Sequence, residues 1–175
     1  MKIKSVAAVG VMVLASLVGG TSAVAQVSTS GYVLPMNLAL EGALEAVQMC
    51  AAKGYDVTAT VVDVSGTPQV VLRGDHSTIH TKDSAYRKAY TIVTMGPIFH
   101  MDSTSGILSF LSKYPPLAAQ ALASTPNAAV LPGGIAIKVR DEIVAGIGVG
   151  GSPGGDKDEA CAKAGAEKIQ GNLTR

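Results

Sequence analysis

Residues 133–149 read GGIAIKVRDEIVAGIGV, two runs rich in isoleucine and valine with Asp141-Glu142 between them. The first run, Ile135 to Arg140, and the second, Ile143 to Val149, each have the length and β-branched content of a strand. Because only a short acidic turn separates them, the two runs predict an antiparallel hairpin. We therefore expect the rest of the chain to fold around a sheet that contains this hairpin.

A second hairpin is predicted closer to the N-terminus. Val57 to Asp63 is a run of β-branched residues, 65–68 (Ser-Gly-Thr-Pro) has the composition of a turn, and Gln69 to Arg73 forms the return strand. A loop at 74–79 leads into the centre of the chain. Two hairpins separated by helices indicate an antiparallel sheet, and not the parallel sheet of a βαβ fold.

Helical patterns precede and separate the hairpins. Asn37 is a helix-capping residue type, and a helix is predicted from it to about Lys53, with apolar residues that share one face (Leu40, Leu44, Val47, Ala51). The central helix is predicted from Thr81 to Met95, with Gly96-Pro97 ending it and four residues facing inward (Ala85, Ala89, Ile92, Val93).

The remaining helices complete the predicted fold class. Shorter helical segments are predicted at 103–111 and 115–122, and the last helix begins at Asp156. The order helix, hairpin, helices, hairpin, helix predicts one α/β domain of the α+β type: an antiparallel sheet of two hairpins with helices packed on it.

The N-terminus has the pattern of a secretory signal. A basic start with Lys2 and Lys4 precedes an uncharged apolar run from Val6 to Val18, and Ala23-Val24-Ala25 matches a cleavage site. We expect residues 1–25 to be removed, residues 26–36 to form a loose lead and residues 37–171 to form the domain. A periplasmic or secreted location follows, without membrane insertion of the mature chain.

The charge of the mature chain argues against a nucleic-acid partner. The whole chain has a formal charge of +1, and loss of two lysines with the signal changes it to −1. Such a chain has no basic excess to neutralise phosphates.

Two sequence motifs have structural explanations that we favour over functional ones. Residues 146–151 (GIGVGG) match G-x-G-x-x-G, but they lie in a predicted strand and not at the strand-to-helix turn of a dinucleotide site. Such glycines allow another backbone or a flat ligand to come close. Asp156 and Glu159 could bind a surface metal ion, but a capping box at the start of the last helix is the preferred interpretation.

The three histidines are the main candidates for chemistry. His76 and His80 lie in the loop before the central helix, and His100 follows it, with Met95 and Met101 nearby. Histidine and methionine are common haem-iron ligands, and we predict His80 or His100 as the ligand. Positive side chains in the same region could pair with carboxylates of a ligand (Arg73, Arg87, Lys88).

Five blocks of sequence carry a resemblance that covers the chain from about Leu38 to Ile169. They are 72–75 (LRGD), 84–91 (SAYRKAYT), 131–134 (LPGG), 146–155 (GIGVGGSPGG) and 158–165 (DEACAKAG). In this order they resemble the GlcG/HbpS family. One departure is the segment 96–100 (GPIFH), where family members commonly have Pro-Thr.

The resemblance implies a profilin-like domain that assembles into homo-oligomers, and haem as the cofactor of some members. It adds Thr91 as a candidate for the central region, and Gly133 and Gly134 as a surface that a flat macrocycle could approach. Because profilin-like folds pack the first and last helices side by side, it also predicts a Cys50–Cys161 disulfide. Two buried free thiols remain the alternative.

The sequence leaves three functional hypotheses. The first is an exported haem-binding protein that sequesters, senses or degrades haem, with binding favoured over catalysis. The second is a domain that binds or processes a small organic acid through Arg73, Arg87 and Lys88. The third is an accessory protein that assembles without a ligand.

Overall fold

The computed structural model describes residues 31–173. The predicted signal and its cleavage site lie outside the described residues. Residues 31–36 are the described part of the predicted lead, and they are not loose throughout. Leu34 is 2 % exposed, and its carbonyl accepts a hydrogen bond from Nε2 of Gln69 at 2.9 Å.

Five helices and four strands form the described domain. In chain order they are α1 (Met36–Ala51), β1 (Thr58–Asp63), β2 (Pro68–Arg73), α2 (Thr81–Phe99), α3 (Thr104–Leu111), α4 (Pro116–Ala123), β3 (Gly134–Val139), β4 (Glu142–Gly150) and α5 (Gly155–Gln170). The sheet has the order β2-β1-β4-β3, and every neighbouring pair is antiparallel. The predicted α+β fold and both hairpins are confirmed.

Two apolar cores lie on opposite faces of the sheet. α1 and α5 cover one face, where their buried residues pack with Val61, Ile137 and Ile147. α2 and α3 cover the other face, where Ile92 and Ile107 are fully buried. The sheet is thus buried between two helical layers, and α2 is the central element of the second layer.

Glycines of β4 allow α2 to lie directly on the sheet. A Cβ atom at Gly146 would lie 2.8 Å from the carbonyl oxygen of Ala89, and one at Gly148 would overlap the carbonyl oxygen of Ala85. The G-x-G sequence therefore lies inside a strand and allows the backbone of α2 to pack closely on β4. This is one of the two roles that the sequence indicated for these glycines.

The first helix differs from the prediction in its cap and in its buried face. α1 begins after Pro35, whose carbonyl accepts from the backbone N–H groups of Leu38 and Ala39, so Asn37 is not the cap. Small residues form the buried face (including Ala39, Gly42, Ala43 and Ala46), whereas Leu40 and Leu44 are 43 % and 46 % exposed. The two leucines of the predicted stripe therefore point away from the sheet, whereas its Val47 is partly buried and packs against the core.

The central helix continues past its predicted end. α2 runs through Pro97 to Phe99 and ends at His100, which adopts a left-handed conformation while Met101 N–H donates to the carbonyl of Gly96. The predicted stop at Gly96-Pro97 is wrong: the helix continues through both residues, and a Cβ atom at Gly96 would lie 2.7 Å from the carbonyl oxygen of Met101 and 2.9 Å from Cδ1 of Ile143.

Asp63 organises the turn between β1 and β2. Its Oδ1 accepts from the backbone N–H groups of Ser65 at 2.8 Å and of Thr67 at 3.0 Å, and also from the Ser65 hydroxyl. Burial raises the pKa of Asp63, but these hydrogen bonds and one from Gly66 outweigh it and hold the pKa below its usual value.

A disulfide joins the helices on one face. Cys50 of α1 and Cys161 of α5 are fully buried and bonded, with Cα atoms 5.6 Å apart. The predicted pairing is confirmed, and no free cysteine occurs in the described part of the chain. Among residues 31–173, no helix is both long and apolar enough to span a bilayer.

Candidate functional site

The three histidines lie at opposite ends of α2. His80 is the residue before the helix, His100 is the residue after it, and His76 lies in the preceding loop with a φ of 62°. All three are exposed. Twenty residues of helix separate His80 from His100 by about 30 Å. These two histidines therefore do not reach the same iron atom within one chain.

His80 has the best-defined ring of the three. Its Nδ1 atom lies 3.1 Å from the hydroxyl of Thr78, in a pair that orients the imidazole. When Nδ1 carries the proton and donates it to that hydroxyl, the lone pair of Nε2 is available to a metal. This geometry makes His80 a stronger iron-ligand candidate than His76 or His100.

Arg87 lies on the same face of α2 as His80. Seven residues are two turns, so the two side chains leave the helix in similar directions, about 10 Å apart along its axis. The Nη2 atom of Arg87 donates to the carbonyl of Ala128 at 2.7 Å. This bond uses one of five N–H donors and positions the exposed guanidinium, whose other donors can pair with a carboxylate.

Thr91 holds the neighbouring segment against α2. Its hydroxyl donates to the carbonyl of Arg87 and accepts from the backbone N–H of Ala129, each at 2.7 Å. Since Thr91 is fully buried, it supports the surface and is not part of it. Leu131, on the segment it anchors, is 63 % exposed, and Ile79 beside His80 is 67 % exposed. Ile79 precedes His80 in the chain, and Leu131 lies two residues beyond the bonded Ala129.

Lys88, Gly133 and Gly134 form a buried cluster, and the structure corrects their predicted role. The Lys88 ammonium lies 2.6 Å from Oδ2 of Asp158 and 3.0 Å from the carbonyl of Val149, with both charged side chains 5 % exposed. A Cβ atom at Gly133 would lie 2.8 Å from Nζ of Lys88, and one at Gly134 2.5 Å from its carbonyl. Lys88 itself fills the space that was expected to receive a macrocycle.

Glu159 joins the start of α3 to this cluster. Its carboxylate accepts from the backbone N–H groups of Ser105 and Gly133, each at 3.1 Å, and from the Ser105 hydroxyl. The predicted capping box at Asp156 and Glu159 is therefore wrong: α5 has Gly154 as its cap residue without a side-chain cap hydrogen bond, and Glu159 binds the first turn of α3, whose own cap residue is Ser103. Sequence patterns did not predict the contacts of Asp158 with Lys88 or of Glu159 with Ser105. In each pair the two residues are far apart in the chain.

Arg73 lies at the end of β2, where its Nε donates to the carbonyl of Ser77 at 2.6 Å. Ser77 belongs to a buried hydroxyl cluster in which Thr81 contacts Thr58 at 2.7 Å and Ser77 at 2.8 Å. The loop that carries His76 and His80 is thus fixed at its base while both imidazoles remain outside.

A separate cleft of about 390 Å³ lies between β3 and α5. Its lining includes Ile135, Lys138, Glu159 and Lys163 but none of the residues predicted to bind haem. Within residues 31–173, no group of three or more His, Cys, Asp or Glu side chains is placed to hold a bare metal ion.

Comparison with known proteins agrees with this fold. Residues 34–167 match the family described as "Haem degrading protein HbpS-like". A crystal structure of HbpS is 34 % identical, with a TM-score of 0.71, over 85 % of this chain and 95 % of that one. A double mutant of HbpS from Streptomyces reticuli is 31 % identical, with a TM-score of 0.70 and full coverage of both chains.

A more distant structure contains haem. It is described as a PduOC:heme complex, and it is 20 % identical, with a TM-score of 0.68, over 79 % of this chain and 96 % of that one. At this identity the likeness concerns the fold alone. Among curated proteins, none is significantly similar in sequence. From the family match and the two HbpS structures it follows that the chain belongs to the HbpS-like family.

Proposed function

We propose that this protein is an exported haem-binding protein, and that haem lies against the outer face of α2. The observation that supports this most directly is the pairing of an oriented, exposed imidazole with an exposed guanidinium two turns away, His80 and Arg87. The family to which the chain belongs is one of haem-related proteins. Export rests on the signal pattern, and the mature protein is expected to begin at Gln26.

The residues on this face match the chemistry of haem. A neutral imidazole is a common ligand of haem iron, and His80 would supply it. Arg87 would pair with a propionate, because a guanidinium forms strong, directed hydrogen bonds with a carboxylate. Ile79 and Leu131 would cover part of the porphyrin, which removes apolar surface from water. When bound, haem supplies a redox-active iron.

Hemin titration of the mature protein, followed by the Soret band, tests the proposal. The unchanged protein is expected to give a saturable shift at micromolar concentration. His80→Ala is expected to alter the band position, since the iron loses its ligand, whereas His76→Ala and His100→Ala serve as matched controls that leave it unchanged. Arg87→Ala is expected to weaken binding about 10- to 100-fold, the loss typical of one charge-assisted hydrogen bond.

Two outcomes would contradict the proposal. A lack of any saturable shift would exclude haem as the ligand, and stabilisation by glycolate or related acids in a thermal-shift assay would then favour the organic-acid alternative. That alternative has lost one of its three cations, because the Lys88 ammonium is already paired with Asp158. If His76→Ala or His100→Ala, and not His80→Ala, changed the Soret band, the site would lie elsewhere on the chain.

We further propose that the protein functions as a homo-oligomer of about four or more chains. Support comes from apolar side chains that the single chain leaves uncovered, among them Met36 and Leu117, which are 64 % and 80 % exposed. Light scattering at tens of micromolar protein measures the assembly directly, and a monomer at that concentration would refute it.

A further inference from the structure

Three buried hydroxyl groups lie beneath the start of α2. Thr58 of β1, Ser77 of the loop before α2 and Thr81 of α2 itself are 0 %, 0 % and 1 % exposed. Oγ1 of Thr81 lies 2.7 Å from the Thr58 hydroxyl and 2.8 Å from the Ser77 hydroxyl. It also lies 2.6 Å from the carbonyl oxygen of Thr78. We call the three side chains the hydroxyl cluster, which joins the sheet, the loop and the central helix.

The direction of the hydrogen bonds in the hydroxyl cluster follows from the number of protons. A carbonyl oxygen can only accept, so the single hydroxyl proton of Thr81 is donated to Thr78. Oγ1 of Thr81 must then accept from both Thr58 and Ser77. These contacts admit one arrangement of protons, and a buried network that is satisfied in this way holds its members rigidly.

The hydroxyl cluster fixes the residue that contacts His80. The Thr78 carbonyl accepts from the Thr81 hydroxyl at 2.6 Å and from the Thr81 backbone N–H at 3.1 Å. The His80 carbonyl accepts from the backbone N–H of Ser84 at 3.1 Å, so His80 is anchored to the first turn of α2. Thr78 and His80 are exposed, but their backbones are tied to the same turn, and Oγ1 of Thr78 lies 3.1 Å from Nδ1 of His80.

We infer that the hydroxyl cluster positions His80 to bind a metal through Nε2, and that Thr78 transmits this effect. The Thr78 hydroxyl occupies the Nδ1 side of the imidazole, so Nε2 is the nitrogen that faces a ligand. When Nε2 of a neutral imidazole binds a metal, the ring proton is on Nδ1, where the Thr78 oxygen accepts it. Thr78 and Thr81 are therefore positioning residues that act through His80. The inference rests on the proposed haem binding at His80 and adds what selects the binding nitrogen.

The tautomer of His80 in the protein without haem tests the inference directly. Nitrogen-15 chemical shifts distinguish a proton on Nδ1 from one on Nε2, and they are measured at about pH 8.5, where a free histidine ring is neutral. His80 is expected to carry its proton mainly on Nδ1. Thr78→Val is expected to lower that fraction to the level of His76 and His100, and Thr78→Ser is expected to restore it. Thr67→Val removes an exposed hydroxyl from the turn between β1 and β2 and, as the control, is expected to leave the shifts of His80 unchanged.

Hemin titration measures what the same contacts contribute to binding. Thr78→Val is expected to weaken hemin binding about 10-fold, the lower end of the loss typical of a group that supports a metal ligand, and Thr78→Ser is expected to bind like the native protein. Thr81→Val is also expected to weaken binding, because the Thr78 carbonyl loses its hydroxyl partner. Its melting temperature is expected to fall as well, so binding is measured well below the melting transition. The double variant Thr78→Val/Thr81→Val is expected to bind no more weakly than Thr78→Val, because Thr81 acts through Thr78.

The outcomes separate the inference from the proposed function. Native protein that binds no hemin would overturn haem binding, and the tautomer of His80 would still decide the inference. An unchanged tautomer in Thr78→Val would overturn the role of Thr78, whether or not hemin binds. Thr81→Val might melt earlier and yet keep the native tautomer and hemin affinity; the hydroxyl cluster would then only stabilise the loop, and its part in the inference would be overturned. A double variant whose losses simply add would overturn it too.

Discussion

The buried ion pair between Lys88 and Asp158 gives the sharpest prediction for stability. At 2.6 Å, with an effective dielectric constant of about 20, the attraction is about 6 kcal/mol, most of which offsets the desolvation of the two ions. Asp158→Asn leaves an ammonium in the interior with neutral partners only. Removal of one member of such a pair costs about 3 to 5 kcal/mol. We therefore expect a melting temperature lower by about 10 °C.

Urea unfolding at neutral pH measures this loss, and the chain contains a matched control. Lys82 and Asp83 also lie 2.6 Å apart, but their side chains are 49 % and 68 % exposed, so Asp83→Asn is expected to cost less than about 0.5 kcal/mol. The double variant Lys88→Met/Asp158→Asn has no buried charge and is expected to recover part of the loss. The reasoning fails if Asp158→Asn costs less than about 1 kcal/mol, or if the double variant shows the sum of the single effects.

Three other predictions concern the same domain. Replacement of Cys50 and Cys161 by alanine is expected to cost about 2 to 5 kcal/mol in free energy of unfolding, and the native protein should take up no alkylating agent before reduction. Gly148→Ala is expected to unfold the domain or lower its melting temperature strongly, because the new methyl group meets the carbonyl of Ala85; a melting curve like that of the native protein would contradict this. Since the pKa of Asp63 lies below its ordinary value of 3.8, its stabilising effect is present above pH 3.8 and is lost as the pH falls through the lowered pKa. Asp63→Asn should thus be less stable than the native protein at neutral pH, by a difference that shrinks in acid, and a difference that does not change with pH would refute it.

The sequence predicted those parts of the fold that depend on local pattern. Both hairpins were found from β-branched runs with turn residues between them, and the inward residues of α2, such as Ile92, from helical periodicity. The disulfide followed from the packing of related folds. The end of α2 could not be predicted, because the close approach of Ile143 to Gly96 joins residues that are far apart in the chain.

The errors at the candidate site have a common physical origin. Lys88 and Arg87 are adjacent and chemically similar, but the first lies beneath α2 with Asp158 and the second lies outside beside Ala128. Only contacts between residues far apart in the chain distinguish them. Leu40 is likewise exposed, although a large apolar side chain in a helix usually points inward. Helical periodicity in the sequence alone cannot reveal this exposure.

The disulfide also determines how the domain responds to mechanical force. Cys50 and Cys161 are separated by 111 positions, and the whole sheet with α2, α3 and α4 lies in the loop that they close. Tension applied at the two chain ends passes through the sulfur–sulfur bond and bypasses the strands. While the bond is intact, only α1, most of α5 and the residues beyond them can extend. Reduction would place the strands under load, so a pulling experiment should show a short extension in the oxidised protein and a much longer one after reduction.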